Sequence, residues 1–348
     1  MKKQNTLRQR IIEKTNKKVT ITIMVLVGIL LIFSTYAWFS TNLNVRVKTF
    51  TMTVKKNTGL SISLDGINFD TDLIISADEL IRGLRYTYPN NTSQWAGGGL
   101  VPISSNGITN HDSQIFNMFS SSGVRYPNKD KDNGYIRTNL MHEGGRNEYN
   151  NYIAFDLFFK NDSGSPVSDN LYFEYGTSIT MEKDADEEMI GLLNSARIGI
   201  VKLGSVAKDA PANEVQNIEC NNNCYSIIFE PNSKAHSDLS IERATKYGVN
   251  LIDGQEFPTY AFTRAGGPIF VANTVSGSPN LDPNYFELQE TMTDDDFEKP
   301  LFTVPDGITK TRVYVWIEGQ DIDSLETDSD GAEIYISLNF LKDTQGYE

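Results

Sequence analysis

Apolar and polar positions alternate with a period of two along most of this chain, and that pattern predicts strands. Val45 and Val47 lie on one parity and Phe50, Met52 and Val54 on the other, so the pattern slips once near Lys48 and Thr49. Such a slip predicts a bulge or two short strands. In GLSISLDG, Leu60, Ile62 and Leu64 share a face opposite Ser61, Ser63 and Asp65, a half-buried strand ending in an Asp-Gly turn.

Between residues 67 and 150 the regularity is lost. Ser76 and Glu79 have capping-box spacing for a short helix, and WAGGGLVP, SSNG and KDKDNG punctuate the residues after it, so most of this stretch is expected to be a loop-rich insertion. Strand patterns return in YIAFDLFFK and in LYFEYGTSIT, where Leu171, Phe173 and Tyr175 share a parity, with the loop-forming NDSGSPVSDN near them. Residues 184–195, DADEEMIGLLNS, place acids where a helix N-terminus favours them. ARIGIVKLG and CYSIIFEPN read as further strands, RVYVWIEG as a central strand apolar on both faces, and AEIYISLNF alternates cleanly. Short strands, many turns and no strand-helix alternation predict an all-β chain with minor helices, an antiparallel β-sandwich. Its core is expected to hold Leu60, Ile62, Leu64, Phe155, Leu157, Leu171, Phe173, Val313, Val315, Ile334, Ile336 and Leu338, with Trp316 placed on a central or an edge strand.

The first apolar block has a different character. Val19 to Ala37 are nineteen residues without a charge, preceded by Lys2, Lys3, Arg8, Arg10, Lys14, Lys17 and Lys18. As a helix they cover roughly the hydrocarbon thickness of a bilayer, and the basic flank puts the N-terminus inside and the body outside. Two fates stay open. Thr35 and Ala37 are small residues spaced as signal peptidase requires for a cut that leaves Trp38 first, whereas Tyr36, Trp38 and Phe39 suit the interfacial belt of a retained transmembrane anchor. Either way the chain divides into a basic cytoplasmic region, 1–18, an apolar segment, 19–37, and an extracellular domain, 38–348, with the insertion at about 67–150.

Charge sharpens this division. Residues 2–18 carry seven basic side chains against one Glu, a local +6, which leaves about −20 for the rest of a chain whose total is −14. A body that acidic repels nucleic acid and anionic lipid. Its 39% hydrophobic content suffices for a sizeable core, and two cysteines with three histidines (His111, His142, His236) exclude multi-Cys zinc sites.

TYAWFSTN, residues 35–42, resembles the leader end of the TasA and camelysin group of exported biofilm-fibre and cell-surface proteins of Gram-positive bacteria, where a dedicated signal peptidase cuts before an aromatic-polar start. The likeness continues into the early strand pair. FDLFFKN (155–161), IIFEPNSKAH (227–236) and VYVWIEGQDID (313–323) resemble segments of further exported proteins with the same leader style. The resemblance covers both ends of the chain and hardly touches residues 67–150. It implies a jelly-roll-like sandwich, and polymerisation in which an N-terminal strand is donated to the next subunit. Here that arm carries Val45, Val47, Phe50, Met52 and Val54, and head-to-tail exchange of such an arm propagates into fibres. The competing course is that the arm folds back on residues 59–65 of its own chain.

Candidate chemistry is sparse. The camelysin branch, described as metalloprotease-like, implies a zinc site, but HEGGR offers His142 and Glu143 and then Arg146 where the second histidine belongs. No nucleophile elbow, P-loop or dinucleotide fingerprint is present, so neither an enzyme nor an organic cofactor is expected. Cys220 and Cys224 flank three asparagines, a spacing that suits a disulfide clipping a tight loop outside the cytosol. EGQDIDSLETDSDG, residues 318–331, gathers Asp321, Asp323, Asp328 and Asp330, hard oxygen ligands dense enough for calcium, although acidic loops are more often simply solvated. The functional expectation is an exported structural surface protein that self-associates. A membrane-anchored adhesin or carbohydrate-binding module acting through residues 67–150 is the alternative.

Overall fold

The computed structural model describes residues 46–55, 58–82, 84, 87–89, 91, 95, 97, 99–110, 115–127, 134–140, 151–181, 190–220, 224–232, 238, 241, 269–273, 291–319, 321, 323 and 333–343. The predicted span Val19–Ala37 and the cut between Ala37 and Trp38 lie outside these. Among the described residues no helix is long and apolar enough to cross a membrane.

In chain order the elements begin with β1 (Arg46–Val54), β2 (Leu60–Ser63), β3 (Asp72–Ser76), α1 (Ala77–Ile81), β4 (Ser104–Asn110), β5 (Ile115–Pro127) and β6 (Gly134–Leu140). After these come β7 (Tyr152–Asn161), β8 (Asp169–Phe173), β9 (Ser178–Met181), α2 (Ile190–Ser195), β10 (Ala196–Val206), α3 (Ala212–Gln216) and β11 (Tyr225–Glu230). The chain closes with β12 (Ile269–Asn273), β13 (Thr291–Thr293), β14 (Phe302–Val304), β15 (Gly307–Ile317) and β16 (Glu333–Asp343).

One sheet runs β14-β8-β16-β1-β3, with β9 also paired to β16; a second runs β13-β11-β10-β15-β7-β2; a smaller third runs β12-β6-β5-β4. The first two enclose the main core. Phe50 of β1 meets Phe155 of β7 edge to face with ring centres 5.3 Å apart, and Phe340 of β16 meets Phe159 of β7 at 4.9 Å. Every expected core residue is buried except Leu64, which is half-buried against the cluster. Trp316 is buried as well, on the opposite face of the second sheet, packed with Tyr152, Tyr314 and Ile103. That sheet is covered on both faces, which is why β15 lacks alternation.

Three expectations need correction. The sheets are mixed rather than antiparallel: β1 runs parallel to β16, β11 to β13 and β6 to β12. Parallel neighbours require a long connection, and between β1 and β16 the whole body supplies it. The described residues of 67–150 hold more strand than the pattern predicts: β3 joins the first sheet and β4, β5 and β6 build the third. Their Ser- and Gly-rich sequences hide the strand period. Tyr175 does not continue β8: the chain turns at Glu174–Thr177, with Gly176 at φ 97°, and leaves Tyr175 78% exposed.

Local signals elsewhere hold. The capping box forms, the Ser76 side chain accepting from the Glu79 amide while the Glu79 carboxylate accepts from the Ser76 amide. The slip near Lys48 is a register shift between Val47 and Thr49 against β16. The turn after β2 is held by Asp65 Oδ1, which accepts from the amides of Ile67 and Asn68 at 2.8 and 2.7 Å. Gly66 takes φ 70° there, and a Cβ at that position would lie 2.7 Å from Val215 Cγ1, so only glycine fits.

Candidate functional site

Strand parity decides which polar groups are drawn inside the sandwich. On β7 the inward parity is Ile153, Phe155, Leu157, Phe159 and then Asn161; on β16 it is Ile334, Ile336, Leu338, Phe340 and then Lys342; on β8 it is Asp169, Leu171 and Phe173. Each apolar row therefore has one polar member at its end, and the three ends meet. Lys342 Nζ donates to Asn161 Oδ1 at 2.5 Å and to Asp169 Oδ2 at 2.9 Å. Asn161 Nδ2 donates to the same Asp169 oxygen at 2.9 Å and to the Val304 carbonyl at 3.1 Å. Asn161 is fully buried, and the Lys342 and Asp169 side chains are each 3% exposed. An amine, a carboxamide and a carboxylate thus share a dry pocket between two sheets, which amounts to a nucleophile, an electrophile and a proton carrier.

A second cluster lies on the other face of β7. Asp156 is fully buried and accepts from Arg312 Nε at 2.9 Å, stands 3.3 Å from Lys310 Nζ, and accepts from the Tyr88 hydroxyl. Burial pushes the Asp156 carboxyl up, but Arg312 and Lys310 outweigh burial and hold it below the usual carboxylate range. Burial lowers Lys310, partly offset by Asp156, and its ammonium sits 5.6 Å from the Tyr88 ring centre. This cluster ties Tyr88, from the expected loop region, to the second sheet.

The third cluster includes two of the expected calcium ligands. Asp321 and Asp323 are buried rather than solvated. Arg197 Nη2 donates to Asp321 Oδ2 at 2.6 Å and pairs with Glu230 Oε1 at 3.1 Å, while Asn194 Nδ2 donates to Asp323. Asp321 is thus committed to a guanidinium. No group of three or more metal-ligating side chains occurs among the described residues, and Asp328 and Asp330 lie outside them. Two carboxylates, Asp321 and Glu230, pair with Arg197. Burial, with the Asp323 charge adding to it and Arg197 opposing, pushes the Asp321 carboxyl up to about 7 from an ordinary 3.8. Between those values the folded state holds a proton that the unfolded state has released, so this group makes stability fall as pH rises through that window. Asp321→Asn is expected to flatten the dependence of the urea midpoint on pH between about 4 and 7; an unchanged slope would place the titrating group elsewhere.

The remaining predicted positions separate cleanly. Cys220 and Cys224 form a disulfide with Cα atoms 5.7 Å apart, packed beside the Trp316 cluster. Val47, Phe50, Met52 and Val54 are buried in β1, within their own chain; Val45 lies outside the described residues, as do His142, Glu143 and Arg146. β1 pairs with β3 and β16, not with residues 59–65. Sequence reasoning does not single out Asn161, Asp169 and Lys342 as a site. Each strand carries their signal as a polar residue closing an apolar parity row, but only sheet pairing shows that the rows converge.

Comparison with protein-family models, with curated proteins and with solved structures finds no match to this chain.

Proposed function

We propose that this chain is an exported cell-surface structural protein, whose basic and apolar N-terminal segment delivers the body across the plasma membrane and then is cut after Ala37 or holds the body there. The observation that carries this reading is the place of β1. The first strand after the apolar segment lies between β16 and β3, hydrogen-bonded on both edges, with four side chains in the main core. A strand placed so is part of the body's own core rather than a peripheral flap.

The fibre subunit suggested by the likeness to TasA and camelysin, with its jelly-roll-like wrap, belongs to the same reading. Donation of β1 then takes the form of a swap, because β1 fills a place in its own sheet. The five residues from Lys55 to Gly59 that join β1 to β2 reach at most about 18 Å, so swapped bodies pack close together. Thr53 Oγ1 donates to Asn339 Oδ1 at 2.6 Å, which makes this β1–β16 pair a direct reporter. In the variant carrying Thr53→Cys and Asn339→Cys, oxidised filaments denatured without reducing agent should run as ladders of chains linked end to end. Filaments whose chains run as single species would place assembly on another surface. Dispersed particles at high concentration would remove the fibre reading and favour the adhesin. A glycan array would test that alternative.

A further inference from the structure

We propose that Lys342 and Asn161 join through their side chains in an intramolecular isopeptide bond, with Asp169 as the catalytic residue that moves the proton. The inference stands on the three side chains alone and does not rest on the reading of the protein as exported.

The geometry is that of a reacting pair. Lys342 Nζ is 2.5 Å from Asn161 Oδ1, and with a carbonyl bond of about 1.2 Å it lies no more than about 3.7 Å from Cγ, close to the approach distance of a near-attack arrangement. Asp169 Oδ2 is 2.9 Å from the nucleophile Nζ and 2.9 Å from Nδ2, the nitrogen that would leave. One carboxylate oxygen therefore bridges the atom that must lose a proton and the atom that must gain one. The Val304 carbonyl takes the other amide hydrogen at 3.1 Å and fixes the plane of the carboxamide. Asn161 is fully buried, and the Lys342 and Asp169 side chains are each 3% exposed, so water is kept from competing for Cγ.

The chemistry balances without any other reactant. Asp169 takes a proton from the Lys342 ammonium, and the freed lone pair on Nζ forms a bond to Cγ of Asn161. The tetrahedral carbon then expels Nδ2, which keeps the electron pair of the broken Cγ–Nδ2 bond and receives the proton from Asp169. Ammonia leaves, Nζ gives up one further proton to Asp169, and a secondary amide remains. Nothing is oxidised or reduced. The step happens once per chain, so it matures the protein and is not a turnover activity.

The bond would join different sheets. Lys342 belongs to β16 in the first sheet and Asn161 to β7 in the second, 181 residues apart in sequence. Because β16 is the direct neighbour of β1, with Phe340 opposite Val54, the covalent tie lies one strand away from the C-terminal end of β1.

Mass spectrometry of the purified full chain tests this. After reduction of the disulfide, the intact mass should fall short of that calculated for its N-terminus by one ammonia. Trypsin should release a branched peptide made of residues 161–183 and 313–348, uncleaved after Lys342. Asp169→Asn and Lys342→Arg should each restore the missing mass and give the separate linear peptides 161–183, 313–342 and 343–348, and Asn161→Asp should lose one water in place of ammonia. Linear peptides containing unmodified Asn161 and Lys342 from the folded wild-type chain would overturn the proposal, whatever the variants do. So would an ammonia loss located at another asparagine.

Discussion

Asp156→Ala is expected to lower the stability of the body by about 3 to 5 kcal/mol, because it removes the buried carboxylate that two buried cations share. Arg312 lies directly across from Asp156 in the β7–β15 register, and Lys310 shares the same carboxylate while also donating to the Gln216 carbonyl at 2.7 Å. Neither can turn to solvent, since both side chains are less than a tenth exposed. Urea unfolding at neutral pH measures the loss. The sign of the pH dependence gives a second check. Asp156 is held below the usual carboxylate range when folded, so its contribution is present above the unfolded value of 3.8 and is lost as pH falls through the folded one. The wild-type chain should therefore lose stability on acidification below about pH 4, and Asp156→Ala should lose less over that range. A variant as stable as wild type would show that the cluster is replaceable and does not hold Tyr88 and the second sheet together.

The strands of this fold are more legible in the sequence than their partners are. AEIYISLNF shows its inward row of Ile334, Ile336, Leu338 and Phe340 directly, because one face is wet and the period of two survives. GITKTRVYVWI does not, since both of its faces are covered and every position is buried. The insertion misleads for a different reason. Strands such as SSNGITN owe their pairing to neighbours and not to β propensity, so composition reads them as loop. Nothing local, moreover, distinguishes an antiparallel β1 from one lying parallel to β16. That placement is fixed only when the last strand of the body arrives beside the first.

The buried charges show the same division. A lone Asp in YIAFDLFFK, with Arg312 and Lys310 two positions apart in another strand, is visible as a set of oddities in apolar rows. Which oddity answers which depends on register. Acids in a loop usually face water, and no local pattern around Asp321 and Asp323 signals that Arg197, more than a hundred residues earlier, draws them inward. The convergence of Asn161, Asp169 and Lys342 requires two sheets to be stacked before it has any meaning.

Phe50→Ala is expected to cost about 3 to 5 kcal/mol as well, the range for removing a buried aromatic from a core that cannot collapse around the cavity. Phe50 is fully buried, packs against Phe155 of the opposite sheet and lies level with Ile336 and Ile75 of its strand neighbours. Ile74→Ala, on the adjacent strand but 70% exposed, serves as the control and should change stability by no more than about 0.5 kcal/mol. The location of the loss matters as much as its size. β3 pairs with β1 within the first sheet, so whatever loosens β1 loosens β3, whereas β16 has β8 and β9 as further partners and the proposed bond to β7. Amides of residues 46–54 and 72–76 should therefore lose hydrogen-exchange protection in Phe50→Ala before those of residues 333–343. Such a pattern would make β1 and β3 a unit that opens against a covalently braced remainder, and it is the motion that a strand swap between neighbouring bodies requires. Equal loss of protection in all three segments would mean that the sandwich opens only as a whole, leaving β1 no route into a neighbour.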